Sequence, residues 1–425
     1  MKLFLSVKAF VVAVILTLSP YVQSETPPPQ PIPAKFISLT KNLVRPWPAV
    51  PVTSLRLWNT GTKWGGINPS KGVYDWKALD NWIAAAQSKN ADLILTMAGT
   101  PAWASSNRND ANCRYGSAGC APPNDLNSDG TGTDQHWKNF VTAVAKHAAG
   151  RIRFWEIWNE PGWTIHWTGT AAQLVRMTQD AYAIIHSIDA NAKILAPGNG
   201  ALTPFQMKWW SSFAAAGGLK YVDIISFHGY TNYYPLVCNV YPEPELVSIH
   251  AKNLRTLLAA YGQSSKPLWD TEGSWGSTPR ICLTDSNLQA AWVARSFLMH
   301  WSQYVRRFYW YSWEGDTGAL ANSSNTLLKS GVAYQQLRQW LIGATMTTSC
   351  SAVGTTWACN FSRPGGYVAR AVWDTSQTCS NGTCTSIGYK IGTQWKHYRT
   401  LTGGLVTVSG TMVPIGIRPI LLENH

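Results

Sequence analysis

Between residues 35 and 340, short runs of bulky apolar residues recur, separated by longer stretches whose apolar residues fall three and four positions apart. The short runs are KFISLT (35–40), SLRLWN (54–59), DLILTMA (92–98), RFWEIWNE (153–160), KILAPGN (193–199), VDIISFHGY (222–230), PLWDTEG (267–273) and RFYWYSW (307–313). Their length and their β-branched and aromatic content fit buried strands. The stretches between them, such as DWKALDNWIAAAQSK, DQHWKNFVTAVAKHAA and SNLQAAWVARSFLMHWSQY, carry their apolar residues at helical spacing. Eight strands, most followed by a helix, predict an α/β fold, a (β/α)8 TIM barrel, over 35–340. From about residue 341 the pattern shortens. TTWACNFS, GYVARAVWD, SIGYKIG, YRTLTG, LVTVSG and RPILLE are separated by Gly, Asn and Ser, which predicts a small C-terminal all-β, sandwich-like domain over 341–425.

The first residues follow neither pattern. Lys2 and Lys8 precede an apolar stretch that ends near Leu18, and Val22-Gln23-Ser24 offers a small residue for cleavage. Residues 1–24 therefore read as a secretory signal peptide. The apolar stretch is too short to span a bilayer, no later segment does better, and no membrane span is expected. TPPPQPIP, within 25–34, reads as an extended polyproline linker.

Export, to the periplasm or the outside, makes the cysteines interpretable. There are eight, all after the signal, and an even number in a secreted chain points to disulfides. Sequence proximity pairs Cys113–Cys120, Cys350–Cys359 and Cys379–Cys384, which leaves Cys238–Cys282. The rival reading, a zinc cluster, lacks any CxxC pair. Asp125-Leu-Asn127-Ser-Asp129-Gly130 mimics the start of a calcium loop, but position twelve is His136 rather than a bidentate Glu, so it reads as a turn-rich loop. Neither a metal nor a cofactor is expected.

The formal net charge is +13, with only 13% charged residues. That balance suits an acidic polysaccharide or an anionic envelope, and equally plain solubility, which needs no partner. No Lys/Arg run with interleaved aromatics marks a nucleic-acid groove. The 23 tryptophans are flat apolar surfaces with one donor each, suited to stacking on sugar rings as well as to filling a core.

Barrel enzymes carry their chemistry where strands end. Of the eight glutamates, Glu25 and Glu423 are terminal, and Glu243 and Glu245 lie in a proline-rich loop. Glu156 is mid-strand and is expected to point into the barrel and pair with a cation such as Arg56. Glu160, Glu272 and Glu314 remain, at the fourth, seventh and eighth strands. In FWEIWNEPGW (154–163), Pro161 cannot donate a ladder hydrogen bond, so the strand is expected to stop with Glu160 as its last residue. A carboxylate there needs a task or a partner. Two carboxylates facing each other across a barrel mouth are the equipment for cleaving a glycosidic bond. One is protonated for the leaving oxygen, and the other is ionised to attack the anomeric carbon.

WNEP at the fourth strand with a Glu closing the seventh is similar to the pattern of clan A retaining glycoside hydrolases. With RLWNTGTKWGGINPSKGVYDWKALDNWI, TPAWAS, FHGY and WDTEGSW in that order, residues 45–320 resemble glycoside hydrolase family 39. The C-terminal β domain resembles the accessory sandwich beside such barrels. The resemblance implies retention of configuration, Glu160 as acid/base and Glu272 as nucleophile. It implies that Asn159 meets the sugar 2-hydroxyl, that His228 and Tyr230 orient the nucleophile, and that Trp313 is the platform under the reacting sugar. Arg56 supports Glu272 or only pairs with Glu156. Trp163, Trp167, Trp275 and Trp103 line flanking subsites or pack the core. The expected function is hydrolysis of a polysaccharide or oligosaccharide, endo-acting, with a carbohydrate as the one expected partner. An exo-acting β-xylosidase is the alternative within enzymes, and a catalytically silent carbohydrate-binding barrel the alternative outside them.

Overall fold

The computed structural model describes residues 29–41, 46–231 and 243–425. The expected signal peptide, the start of the linker and Cys238 lie outside them. Eight parallel strands follow one another: β1 (Ile37–Lys41), β2 (Ser54–Leu57), β3 (Asp92–Met97), β4 (Phe154–Ile157), β5 (Lys193–Leu195), β6 (Ile225–Phe227), β7 (Leu268–Gly273) and β8 (Arg307–Trp310). They are ordered β5-β4-β3-β2-β1-β8-β7-β6. Parallel bridges from Leu195 to Ile224 and from Asn199 to Phe227 join the two edges, so the sheet closes into a barrel. Each of the eight predicted strands is present.

Alternation along the strands fills the interior in layers. Ile94, Phe154, Leu195, Ile224, Trp269 and Tyr309 form the lower apolar layer. One step toward the C-terminal ends the layer turns polar. There Arg56 donates from Nε to Glu156 at 2.6 Å, and Thr96 donates to the same oxygen at 2.8 Å. The expected pairing of Glu156 with Arg56 is thus present.

Helices wrap the outside. Ala171–Ile188 and Pro204–Ala215 each open with a capping box, Thr170 with Gln173 and Thr203 with Gln206. In each box a hydroxyl and an amide satisfy first-turn N–H groups that would otherwise lack partners. The Asp125 loop also serves a helix. Asp125 Oδ2 accepts from the backbone N–H of Gln135 at 2.7 Å and of His136 at 3.1 Å, at the start of Gln135–Ala148. Among the described residues, no helix is long and apolar enough to cross a membrane.

The C-terminal region is all-β. Strands Leu405–Thr407, His397–Arg399, Ile420–Glu423, Tyr367–Asp374, Thr356–Arg363 and Thr345–Val353 lie in that order in one antiparallel sheet. A two-stranded ladder, Ile387–Lys390 with Met412–Ile415, packs against it through Val372, Val413, Ile415, Ile420 and Leu422. This sandwich covers the helix Ser286–Ser302, which is buried nearly all round. The proline-rich loop holds more than expected. Glu245 is fully buried and accepts from Arg295 Nε at 2.8 Å and from the Trp373 indole N–H at 2.9 Å, tying barrel to sandwich. Disulfides join Cys113 to Cys120, Cys350 to Cys359 and Cys379 to Cys384. Cys282 is also disulfide-bonded.

Candidate active site

β4 ends at Ile157, three residues before Glu160. Trp158 and Glu160 adopt positive φ values of 69° and 47°, a region that bulky residues enter rarely and chiefly at functional turns. The strand is therefore stopped by this turn rather than by Pro161 alone, which corrects the expectation that Glu160 is a strand residue. The Glu160 N–H donates to the Gly198 carbonyl at 2.7 Å and anchors the turn on the residues after β5.

Glu160 is partly exposed. Its Oε1 lies 2.9 Å from His228 Nδ1 and its Oε2 lies 2.9 Å from His166 Nδ1. Burial raises the Glu160 pKa, but these two imidazoles outweigh it and hold the carboxyl well below the usual range. Its two imidazole neighbours thus favour the ionised form, whereas an acid catalyst was expected to sit high.

Glu272 is on β7 itself. Its Oε2 accepts from Arg56 Nη1 at 2.8 Å, and its Oε1 accepts from the Tyr230 hydroxyl at 2.9 Å. Arg56 thus reaches both Glu156 and Glu272, and its Nη2 donates to Asn159 Oδ1 at 2.7 Å. Burial opposes the guanidinium charge, but Glu156 and Glu272 more than restore it, so its pKa is raised. His228 Nε2 is 3.9 Å from Glu272 Oε2, which sets this imidazole between the two carboxylates. Burial lowers the His228 pKa, yet the charges of Glu272 and Glu160 win and raise it. One carboxylate oxygen of Glu160, one of Glu272 and a ring nitrogen of His228 all lie within 4.8 Å of one another.

A further tier fixes these groups. Asp270 Oδ1 accepts from the backbone N–H of Glu272 at 3.0 Å and of Gly229 at 3.1 Å, while its Oδ2 meets His300 Nε2 at 2.6 Å. The Ala201 N–H donates to His250 Nδ1 at 3.1 Å, so Nε2 carries the proton toward the Tyr230 carbonyl at 3.1 Å. Burial lowers the His250 pKa to about 4, which keeps it neutral.

The structure redistributes the aromatics. Trp313 is 1% exposed and spends its indole N–H on Asn325 at 2.6 Å, so it has no free face for a sugar. Trp275, also 1% exposed, bonds Thr278 and packs edge-on to Trp310. Trp167 is buried edge-on against Trp158. All three are core residues, which corrects the expected role of Trp313 as a platform and leaves Trp167 and Trp275 on the core side of their two readings. Trp163 and Trp103 keep partial exposure. Tyr311, just after β8, is half-buried and its hydroxyl is raised well above the ordinary value, first by burial and then by the charge of Glu272. Glu314 turns away into a buried ion pair with Lys41.

Sequence reasoning missed Tyr115, His166 and Lys63. The Tyr115 hydroxyl donates to the Asn159 carbonyl at 2.9 Å and its ring stacks on His166 at 5.3 Å. Lys63 Nζ lies 4.4 Å from the Trp58 ring centroid and 5.1 Å from that of Tyr115. These residues sit in loops with no periodic pattern. For His166, the signal was its position six residues after Glu160.

Residues 50–315 match the family described as Cellulase (glycosyl hydrolase family 5). No curated protein matches the chain. Among solved structures, a family 39 glycoside hydrolase from the gut symbiont Bacteroides cellulosilyticus WH2 is 18% identical, with a TM-score of 0.63 over 87% of this chain and 75% of its own. A monomeric beta-xylosidase from Caulobacter crescentus CB15 is 17% identical, with a TM-score of 0.66 over 93% of this chain and 97% of its own. The GH39 enzyme from Xanthomonas axonopodis pv. citri is 15% identical, with a TM-score of 0.66 over 94% of this chain and 98% of its own. These likenesses are of fold. With two carboxylates opposed at the barrel mouth and the family match spanning the seven strands from β2 to β8, the chain belongs to the cellulase family, glycosyl hydrolase family 5, and is a retaining glycoside hydrolase of clan A.

Proposed function

We propose that the protein is exported and cleaves β-linked polysaccharide internally by double displacement, with Glu272 as nucleophile and Glu160 as acid/base. The barrel over 35–340 carries the chemistry and the β domain over 341–425 supports it. The observation that carries this reading is the approach of the two carboxylates to within 4.8 Å. Retaining enzymes hold their carboxyl groups about 5–5.5 Å apart, whereas inverting ones leave about 6.5–9.5 Å for a water.

Arg56 and Tyr230 fix Glu272 with one donor on each oxygen and so aim it. Its oxygen attacks the anomeric carbon as the glycosidic oxygen departs with a proton from Glu160. Glu160 must carry that proton when it meets the glycosidic oxygen, against the two imidazoles that favour its ionised form. In the second half, Glu160 takes a proton from water, the water oxygen attacks the same carbon, and Glu272 is released. Asn159, pinned through Oδ1 by Arg56, offers its amide N–H to the 2-hydroxyl.

Internal cleavage is favoured by a cleft of about 570 Å³ walled in part by Tyr115, whose hydroxyl bonds Asn159 beside the carboxylates. Trp163 and Trp103 are the half-exposed rings left among the expected platforms. The support for endo action is this cleft, since three of the expected tryptophan platforms are buried.

The Glu272→Ala chain should lose hydrolysis and regain part of it with azide, yielding a glycosyl azide of inverted configuration. Glu160→Ala should slow chiefly substrates with poor leaving groups. An activated 2-fluoro sugar should label Glu272, and near-normal turnover of Glu272→Ala would discard the assignment. On polymer, viscosity should fall before monosaccharide appears. Monosaccharide as first product, with an aryl β-xyloside as best substrate, would make the exo-acting reading correct.

A further inference from the structure

The cleft past Tyr115 lies between the loops that follow β2 and β3, and Gly61, Gly65, Gly66, Gly99, Gly116 and Gly119 make up much of its wall. Glycines put backbone at the surface and leave the space unfilled. Among the described residues that line it, Lys63 carries the one charge. Its ammonium donates to Asn59 Oδ1 and lies over the rings of Trp58 and Tyr115. Among the described residues no carboxylate forms an ion pair with it. The environment is costly for a cation: burial, with no counter-charge to offset it, pushes the Lys63 pKa down to about 8. A half-buried cation in an open cleft is stabilised by whatever ligand brings the missing anion.

We propose that this cleft is a subsite for an acidic sugar, in which the carboxylate of a uronate residue pairs with Lys63 and the sugar lies along the glycine wall beside Trp58 and Tyr115. The inference rests on the glycosidase reading, because Tyr115 also hydrogen-bonds Asn159 and so joins this cleft to the catalytic carboxylates. It names the substrate class that reading leaves open, and it gives the net charge of +13 a local use. The other charged groups nearby do not supply the anion. Arg56, 5.5 Å from the Trp58 centroid, is a cation committed to Glu156 and Glu272. Tyr115 is kept neutral, its hydroxyl raised well above the ordinary value by burial. Glu160 and Glu272 are held by their own partners.

The test separates ring from charge. Soluble β-1,4-linked glucose oligosaccharides and the same oligosaccharides oxidised at C6 to uronates are bound to the Glu272→Gln chain, which keeps them intact. At about pH 6 and low salt the oxidised form should bind about tenfold tighter or better. Adding Lys63→Gln should bring the two within about twofold, whereas adding Lys63→Arg should keep the preference. The preference should also fade as pH rises beyond about 8, where Lys63 loses its proton. Equal binding of the two forms, or a preference that survives Lys63→Gln, overturns the inference. Hydrolysis by the unaltered chain is scored separately. Cleavage without charge preference sinks the Lys63 subsite alone, and charge preference without cleavage sinks the glycosidase reading alone.

Discussion

Glu160 shows how a single carboxyl is set by what faces each of its oxygens. One imidazole comes from the end of β6 and the other from the turn that follows Glu160 itself, each at 2.9 Å. Both favour the ionised form, and together they outweigh burial. A catalyst that must donate a proton is limited at high pH by its own pKa, so the basic limb of kcat/KM reports it. His166→Asn removes one stabiliser of the carboxylate, which raises the Glu160 pKa. The basic limb should therefore move to higher pH, with near-ultraviolet circular dichroism unchanged. An unmoved limb would mean that His166 only supports the stacked Tyr115 ring. His228 is a poorer choice for this test, since it also stands 3.9 Å from Glu272 and would disturb both carboxylates.

At the scale of elements, the turns after β4 and β5 do what the strands cannot. Gly198 accepts from the Glu160 N–H, and a Cβ on it would sit 2.5 Å from His228 Nε2 and 3.1 Å from Glu156 Oε1. No strand residue with a side chain fits there. Gly198→Ala should push the His228 ring aside and lower kcat by about 10²-fold, the loss that a misplacement of about 1 Å can cause. The far-ultraviolet spectrum should be retained, and an unchanged kcat would show that the imidazole has slack. The strands were legible in sequence because burial on both faces demands continuous apolar runs, and all eight runs became strands. Glu160 and Glu272 were legible because carboxylates interrupt such runs only at a cost. The loop partners were not, because Tyr115, His166 and Lys63 reach the site through turns that leave no period. Nor was the sorting of tryptophans. Trp275 and Trp313 follow strands in sequence just as surface platforms would, and only the packing of Trp310 and Asn325 against them puts them inside.

The whole molecule is joined by a buried charge that the sequence hid in a proline-rich loop. Glu245 binds Arg295 of the Ser286–Ser302 helix through both oxygens, at 2.8 and 2.5 Å, and accepts from Trp373 in the sandwich. Removing one partner of such a pair strands the other charge and costs about 3–5 kcal/mol, whereas replacing both by apolar groups costs much less. Arg295→Met should therefore lower Tm markedly, and Glu245→Leu added to it should restore part of the loss, short of full recovery because the Trp373 N–H then lacks an acceptor. Barrel and sandwich should melt together in each variant. The same contact bears on independence of the two parts. The Ser286–Ser302 helix is buried on nearly every face, and the Cys350 N–H donates to Ser302 Oγ at 2.9 Å from the first strand of the sandwich. A helix whose faces are nearly all buried depends on the layers that cover it. A chain ending at residue 341 would expose one of those sides to water, so it should aggregate or bind hydrophobic dyes rather than hydrolyse substrate. A soluble and active chain of that length would show instead that the sandwich is a separable module and that the Glu245 contact is incidental to the barrel.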